Sequence, residues 1–327
     1  MADRDYVLGT HDEEINRLGF QHRVWRTRAL DAWKRAGIDE GARVIDFGAG
    51  PGFATMDLAE IVGPTGRVFA FERSRRFLSV LQAHAQARAL TQVEAEEIDF
   101  ATDALPVKGA DAAWVRWVLT FLPDPKSALK KLVDSLRPGG ALVIHEYLDY
   151  RTCSFTAETP FFDRFIDEVV ANWRAAGGEP DIARSLPAWL REMGLTLESY
   201  RPHVDVVSKE DTIWRWPVGF FEIHIDRLLE LGRIDSDLAA NMHAELARIS
   251  EQPGTLLVTP MVLENHRPQE TGALDARGVT FPKLGRRTSM SDKKKETSPS
   301  KPVPAAKPVG EGQRATPLNP NKPPQKK

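Results

Sequence analysis

The sequence predicts an α/β protein built on a mostly parallel, doubly wound sheet, and three observations carry that expectation. Strand-like and helix-like stretches alternate five times between Val44 and Tyr147, a pattern that calls for right-handed crossovers with helices on both faces. A glycine-rich turn, Gly48-Ala49-Gly50-Pro51-Gly52, follows the apolar run Val44-Ile45-Asp46-Phe47. Polar residues recur at or near the strand ends, namely Asp46, Glu72, Asp99, Arg116 and His145, where an open sheet of this kind binds its ligands.

The elements follow in order. Ile15, Leu18, Val24, Trp25, Leu30 and Trp33 repeat at helical spacing over residues 11 to 35, which predicts one or two amphipathic helices beside the ligand cleft. Glycine at 48, 50 and 52 lets the backbone take conformations closed to other residues and lets a ligand lie against it. The turn departs from a dinucleotide fingerprint, since Phe53 stands where the third glycine belongs and Asp46 would repel a pyrophosphate. A cationic ligand suits it better. Ala54 to Ile61 reads as a helix stopped by Gly63-Pro64-Thr65-Gly66, and Arg67 to Glu72 as the second strand. Glu72 lies about 20 residues past the glycines, the separation at which a carboxylate takes ribose hydroxyls; its alternative is a cap for the next helix, Ser74 to Arg88. Val93 to Phe100 alternates as an exposed third strand would. Asp111 to Leu119 is the fourth strand, Pro123-Asp124-Pro125 opens a helix through Leu136, Arg137-Pro138-Gly139-Gly140 ends it, and Ala141 to Tyr147 is the fifth strand.

The stretch V-I-D-F-G-A-G-P-G resembles the first motif of class I S-adenosylmethionine-dependent methyltransferases. Asp111 followed by L-R-P-G-G resembles later motifs of the same enzymes, especially the small-molecule branch related to the quinone-biosynthesis methyltransferases. The likeness covers roughly residues 5 to 150. It implies S-adenosyl-L-methionine as cofactor, with Asp46 facing the methionine moiety beside Gly48, Gly50 and Gly52, Glu72 on the ribose, Asp99 on the adenine amino group, Phe100 packed on the ring, and Arg116 in the same set. Tyr6-Val7-Leu8-Gly9 with Glu14, Arg17, Leu18, Gln21 and His22 resembles an N-terminal signature that forms a lid; taken alone, Glu14 and Arg17 are a surface pair on a helix. The resemblance further implies a Rossmann-like, seven-stranded sheet ending in an antiparallel pair, expected at Leu195 to Val207 and Thr255 to Val262. Pro260 argues for an edge or irregular position there.

Phe161 to Trp173 and Ile182 to Met193 are expected helices, and two more helical segments, about 209 to 231 and 234 to 251, form an insertion placed over the site. Trp214, Trp216, Phe220 and Phe221 within it are either an apolar pocket wall or ordinary core. The expected domains are an N-terminal helical lid (1–40), a methyltransferase domain (41–267) and a disordered basic tail (268–327) rich in proline and lysine, which buries too little apolar surface to fold. Such a tail attracts nucleic acid or an anionic surface, or is simply solvated. The 327 residues are 42% hydrophobic and 28% charged, enough for a sizeable core. No apolar run approaches the roughly 20 residues of a membrane helix, and Met1-Ala2-Asp3-Arg4-Asp5 begins no signal peptide, so a cytoplasmic protein is expected. The single Cys153 excludes an intramolecular disulfide and a cysteine-based zinc cluster and reads as a small filler; no metal is expected, and the oligomeric state stays open.

Methyl transfer requires nucleophile, methyl carbon and sulfur in line with water excluded. The acceptor is expected to be a small, partly hydrophobic metabolite methylated on oxygen or carbon. His145 is the first general-base candidate, against a satisfied structural histidine; His22, Tyr6 and Tyr147 follow, and Glu146 is a candidate to orient the substrate. A protein or nucleic-acid methyltransferase is the rival, disfavoured because no N-P-P-Y-type motif is present, and a non-catalytic cofactor-binding protein is the other. Arsenite chemistry is disfavoured by the lone cysteine.

Overall fold

The apolar runs become strands of one sheet. A computed structural model describes residues 12–195 and 198–267. Its main strands are β1 (Arg43–Phe47), β2 (Arg67–Glu72), β3 (Val93–Glu97), β4 (Ala110–Arg116), β5 (Leu136–Asp149), β6 (Ser199–His203) and β7 (Met261–Arg267). They lie in the order β3-β2-β1-β4-β5-β7-β6. The first five are parallel, and β7 runs antiparallel between β5 and β6. The helices are α1 (Asp12–Arg35), α2 (Phe53–Val62), α3 (Arg75–Ala87), α4 (Pro125–Val133), α5 (Pro160–Ala175), α6 (Leu186–Glu192), α7 (Arg215–Glu230) and α8 (Ser236–Glu251).

Both sheet faces are covered, as near-continuous apolar strands require. Ala29 and Trp33 of α1 and Leu58 of α2 pack on Val44, Trp114 and Val143. Leu129 of α4 and Leu186 of α6 pack with Phe47, Val115 and Ile144. A third cluster joins α5, α7 and α8 to Trp25, Trp117 and Tyr147. Trp214, Trp216 and Phe221 are buried in it, which decides for core packing over a pocket wall. The inserted helices stand behind the site: Trp216 Nε1 donates to Gln21 Oε1 at 3.1 Å, tying α7 to α1.

Several boundaries differ from expectation. β3 stops at Glu97, opposite the last residue of β2, so Asp99 and Phe100 fall in a loop. β4 stops at Arg116 because Trp117 turns out of the sheet at φ 51°. Helix α4 ends at Val133, and Leu136 already pairs with Ala110; Arg137-Pro138-Gly139-Gly140 therefore opens β5 rather than closing the helix. The expected Leu195–Val207 strand divides: Ser199–His203 joins the sheet edge, while Val206–Val207 pairs with Leu257–Val258 in a small second sheet that includes Ser154–Phe155. Pro260 has no N–H to continue a ladder, and β7 begins just after it, inside the sheet rather than at its edge. Glu14 is buried, not on the surface, and accepts two 2.7 Å bonds from Arg17. Among the described residues no helix is long and apolar enough to cross a membrane. Tyr6 and the whole of 268–327 lie outside the described residues.

Candidate functional site

The carboxyl ends of β1 to β4 open onto one cleft, completed by Leu18, Gln21 and His22 of α1. The turn after β1 is set by positive φ at Gly48 (77°), Gly50 (57°) and Gly52 (87°). A Cβ at Gly48 would stand 2.3 Å from a Val118 methyl carbon, whereas one at Gly50 would meet nothing within 4 Å. Gly50 thus presents bare backbone to open cleft. Gly52 is not part of the lining: it is the N-cap of α2, and a Cβ there would meet Leu81 at 2.5 Å, so its smallness serves the packing of α2 on α3. No side chain caps α2.

Asp46 is almost fully buried and accepts a 2.6 Å bond from Thr55 Oγ1. Burial pushes its carboxyl up to about 6 despite that bond and the nearby Arg116 cation. Glu72 takes one backbone N–H on each oxygen, Gly50 N at 2.9 Å and Ser74 N at 2.8 Å. Burial raises its pKa too. Its carboxylate thus braces the glycine turn, while the N-cap of α3 is the Ser74 hydroxyl. Asp99 and Phe100 line the far wall, where Phe100 stacks on Phe47 with ring centroids 3.8 Å apart.

Arg116 leaves β4 into the same cleft. Its Nη2 donates to His22 Nδ1 at 3.0 Å. A guanidinium only donates, so the His22 ring carries its proton on Nε2, which donates to Asp57 Oδ2 at 3.0 Å. Burial lowers the His22 pKa, outweighing the attraction of Asp57. Burial lifts Asp57, but bonds from His22 and from Arg26, at 2.7 and 3.1 Å, hold its carboxyl below the usual range. Both ring nitrogens of His22 are therefore committed, and the residue holds Arg116 rather than standing ready as a base. Arg116 Nη1 is buried with no hydrogen-bond partner; its guanidinium lies 5.6 and 5.4 Å from the Trp114 and Trp117 rings, and burial draws its pKa down to about 10.

The exit of β4 is held in a strained form. Trp117 is an aromatic residue at φ 51°, a conformation that costs about 1–3 kcal/mol and persists only when its surroundings impose it. Here its N–H donates to His145 O at 3.0 Å and its ring stacks on Tyr147 and Trp216. Glu146 Oε1 accepts from Val118 N and Leu119 N, each at 2.8 Å, and burial pushes this carboxyl up to about 8. Glu146 is shut away from the cleft and shapes its wall, so the expectation that it orients substrate is replaced. His145 is also outside the lining. Its ring is fully buried, bonds to Glu264 Oε2 at 3.2 Å and has its pKa drawn down to about 4 by burial. The general-base expectation for His145 fails on these grounds. Tyr147 is buried among aromatic rings.

The cleft therefore brings together Asp46, Gly48, Gly50, Glu72, Asp99, Phe100, Arg116 and His22. Sequence reading missed Asp57, although a lone acid within the buried face of F-A-T-M-D-L-A-E-I-V is a legible signal. It also missed Trp117, Val118, Phe121 and Leu122, which form an apolar wall.

The chain is similar to known methyltransferases. Residues 38–175 match the family described as a methyltransferase domain. The chain is 31% identical over 192 residues to the 2-phytyl-1,4-naphtoquinone methyltransferase of Synechococcus elongatus, covering 57% of this chain and 79% of that protein. It is 28% identical over 197 residues to the demethylmenaquinone methyltransferase of Lactococcus lactis, covering 56% and 76%. With the trans-aconitate 2-methyltransferase of Azoarcus sp. it shares 36% identity over 126 residues, covering 38% and 47%. It is similar to a solved S-adenosylmethionine-dependent methyltransferase from Aquifex aeolicus, with TM-score 0.40 and 20% identity, covering 53% of this chain and 81% of that one.

Proposed function

The chain belongs to the S-adenosylmethionine-dependent methyltransferases, and from that premise we propose that it methylates an oxygen or carbon atom of a small, partly hydrophobic, acidic metabolite in the cytoplasm. One observation carries the reading: the cleft has a polar side built from Asp46, Gly50, Glu72 and Asp99 and an apolar side built from Leu18, Trp117, Val118 and Phe121, with the Arg116 cation also in its lining.

The residues fit the cofactor. Gly50 leaves a cradle that a Cβ would enter, and Arg116 Nη1 is an orphaned buried donor in the cleft. Glu72 would take the ribose hydroxyls, Asp99 the adenine amino group, and Phe100, fixed by Phe47, the ring face. Asp46 would face the cationic end of the methionine moiety, and the uncapped first turn of α2 its carboxylate. When bound, the cofactor supplies a sulfonium methyl that passes to the acceptor as the carbon–sulfur bond breaks.

The imidazole and the two buried carboxylates of the cleft are already engaged. His22 is held at both nitrogens, and Asp46 and Glu72 already accept hydrogen bonds. Arg116 instead favours the anionic form of an acceptor hydroxyl, enol or carboxylate placed near it. Acceptors that carry an ionised group are thus selected, a property that the trans-aconitate named for one relative has.

The test is mass spectrometry of the native purified chain followed by transfer assays. Bound S-adenosylmethionine or its demethylated product is expected, and labelled methyl should pass to members of a panel of naphthohydroquinones, phenols and carboxylic acids. Label entering only protein or nucleic acid, and lost on removing residues 281–327, would favour the macromolecular rival. Cofactor binding with no transfer to any acceptor would favour a non-catalytic binder.

A further inference from the structure

Away from the cleft, three adjacent strands bring together two imidazoles and a carboxylate. Glu264 on β7 lies opposite His145 on β5, while Val262, two residues away on the same face, lies opposite His203 on β6. All three side chains therefore project from one face of the sheet. Glu264 Oε2 is 3.2 Å from His145 Nε2 and 3.1 Å from His203 Nε2, and the three atoms lie within 4.8 Å of one another. The other carboxylate oxygen is held by Arg35 Nη2 of α1 at 2.5 Å. His145 and Glu264 are fully buried, His203 keeps 18% of its side chain exposed, and His145 Nδ1 is buried with no hydrogen-bond partner.

We propose that His145, His203 and Glu264 form a binding site for one Zn2+ ion, independent of the methyl-transfer cleft. The geometry supports it. Two zinc bonds of about 2.0–2.1 Å at a tetrahedral angle subtend about 3.3–3.4 Å between ligand atoms; the two nitrogen–oxygen separations are already close to this, and the two Nε2 atoms, within 4.8 Å of each other, draw together around the ion. Two neutral imidazoles and one carboxylate form a nitrogen–oxygen donor set suited to zinc rather than to magnesium or calcium. Each ring proton moves from Nε2 to Nδ1, leaving Nε2 free to ligate, so uptake by neutral rings releases no proton. The exposed side of His203 gives the ion an entry path from solvent, which would supply water as fourth ligand. Arg35 stays on the outer oxygen, orienting the carboxylate while its positive charge opposes the ion and sets the affinity below that of the bare triad. A bound ion joins β5, β7 and β6 by bonds to their side chains.

The experiment is calorimetric titration of the metal-stripped full chain with ZnCl2, with Co2+ as the spectroscopic probe. One ion per chain is expected, with intense visible absorption from low-symmetry, near-tetrahedral Co2+ and a melting temperature raised by zinc but not by magnesium. His203→Ala and His203→Gln should abolish uptake, and Arg35→Gln should tighten it at least several-fold. Each variant is checked for retained S-adenosylmethionine binding to establish folding. No uptake by the wild-type chain overturns the proposal, as does uptake unchanged in a folded His203 variant.

Discussion

Asp46→Asn separates what the buried carboxylate does for the ligand from what it does to the fold. The carboxyl has its pKa moved by burial from 3.8 to about 6, roughly two units, or about 3 kcal/mol against keeping it ionised in the ligand-free cleft. The folded pKa lies above the unfolded one. The stability that the neutral acid contributes is therefore present in full below pH 3.8 and is lost as pH rises through about 6. Asparagine has no charge to desolvate, yet its oxygen still accepts from the Thr55 hydroxyl, with a loss of about 1 kcal/mol for the weaker neutral bond. At pH 8 the ligand-free variant should be more stable than wild type by about 1–2 kcal/mol, and the advantage should vanish near pH 4. Cofactor affinity should move the other way, weakening by about 1–3 kcal/mol, or about 5- to 150-fold. Wild-type affinity should rise with pH up to about 6 and then level off, since a cationic ligand selects the ionised acid. Urea unfolding at pH 5 and 8 and calorimetry with S-adenosylmethionine read both quantities. A variant less stable than wild type at pH 8 refutes the desolvation argument, and undiminished affinity at pH 8 refutes the ligand role.

Two further outcomes follow from the same site. Gly50→Ala should fold, with a penalty of about 1–2 kcal/mol for its left-handed backbone, yet lose cofactor binding because the new methyl enters the cleft. Gly48→Ala and Gly52→Ala, which meet Val118 at 2.3 Å and Leu81 at 2.5 Å, should lower the thermal midpoint markedly more than Gly50→Ala does; equal losses at all three would contradict the assignment of Gly50 as the bare cradle. Asp57→Ala removes the acceptor that fixes the His22 tautomer and leaves Arg26 unpaired; Arg116 should then lose its orientation, reducing turnover about tenfold or more, and unchanged turnover counts against the relay.

Local chemistry made much of this protein legible in sequence. The apolar runs of β1, β2, β4 and β5, the positive-φ glycines after β1 and the acid two dozen residues later each follow from short-range rules, because a parallel strand, a tight turn and a helix start depend on residues near one another in the chain. Asp46, Glu72, Asp99 and Arg116 were legible for the same reason: each sits where a strand ends, and in this topology strand ends meet. Residues whose meaning depends on a distant partner were not legible. His145 sits on β5 as any base candidate would, but β7, inserted from 119 residues away, brings Glu264 against it and closes it off. His22 is a plausible base until Asp57 and Arg116 are seen to occupy both nitrogens. Trp117 reads as more strand until the Glu146 carboxylate and the surrounding indole and phenol rings hold its turn. The sequence by itself determined the sheet, its glycine turn and the polar side of the cleft. The tertiary structure alone decided which titratable groups remain open to a ligand, because burial and pairing belong to the packed molecule and not to any one stretch of chain.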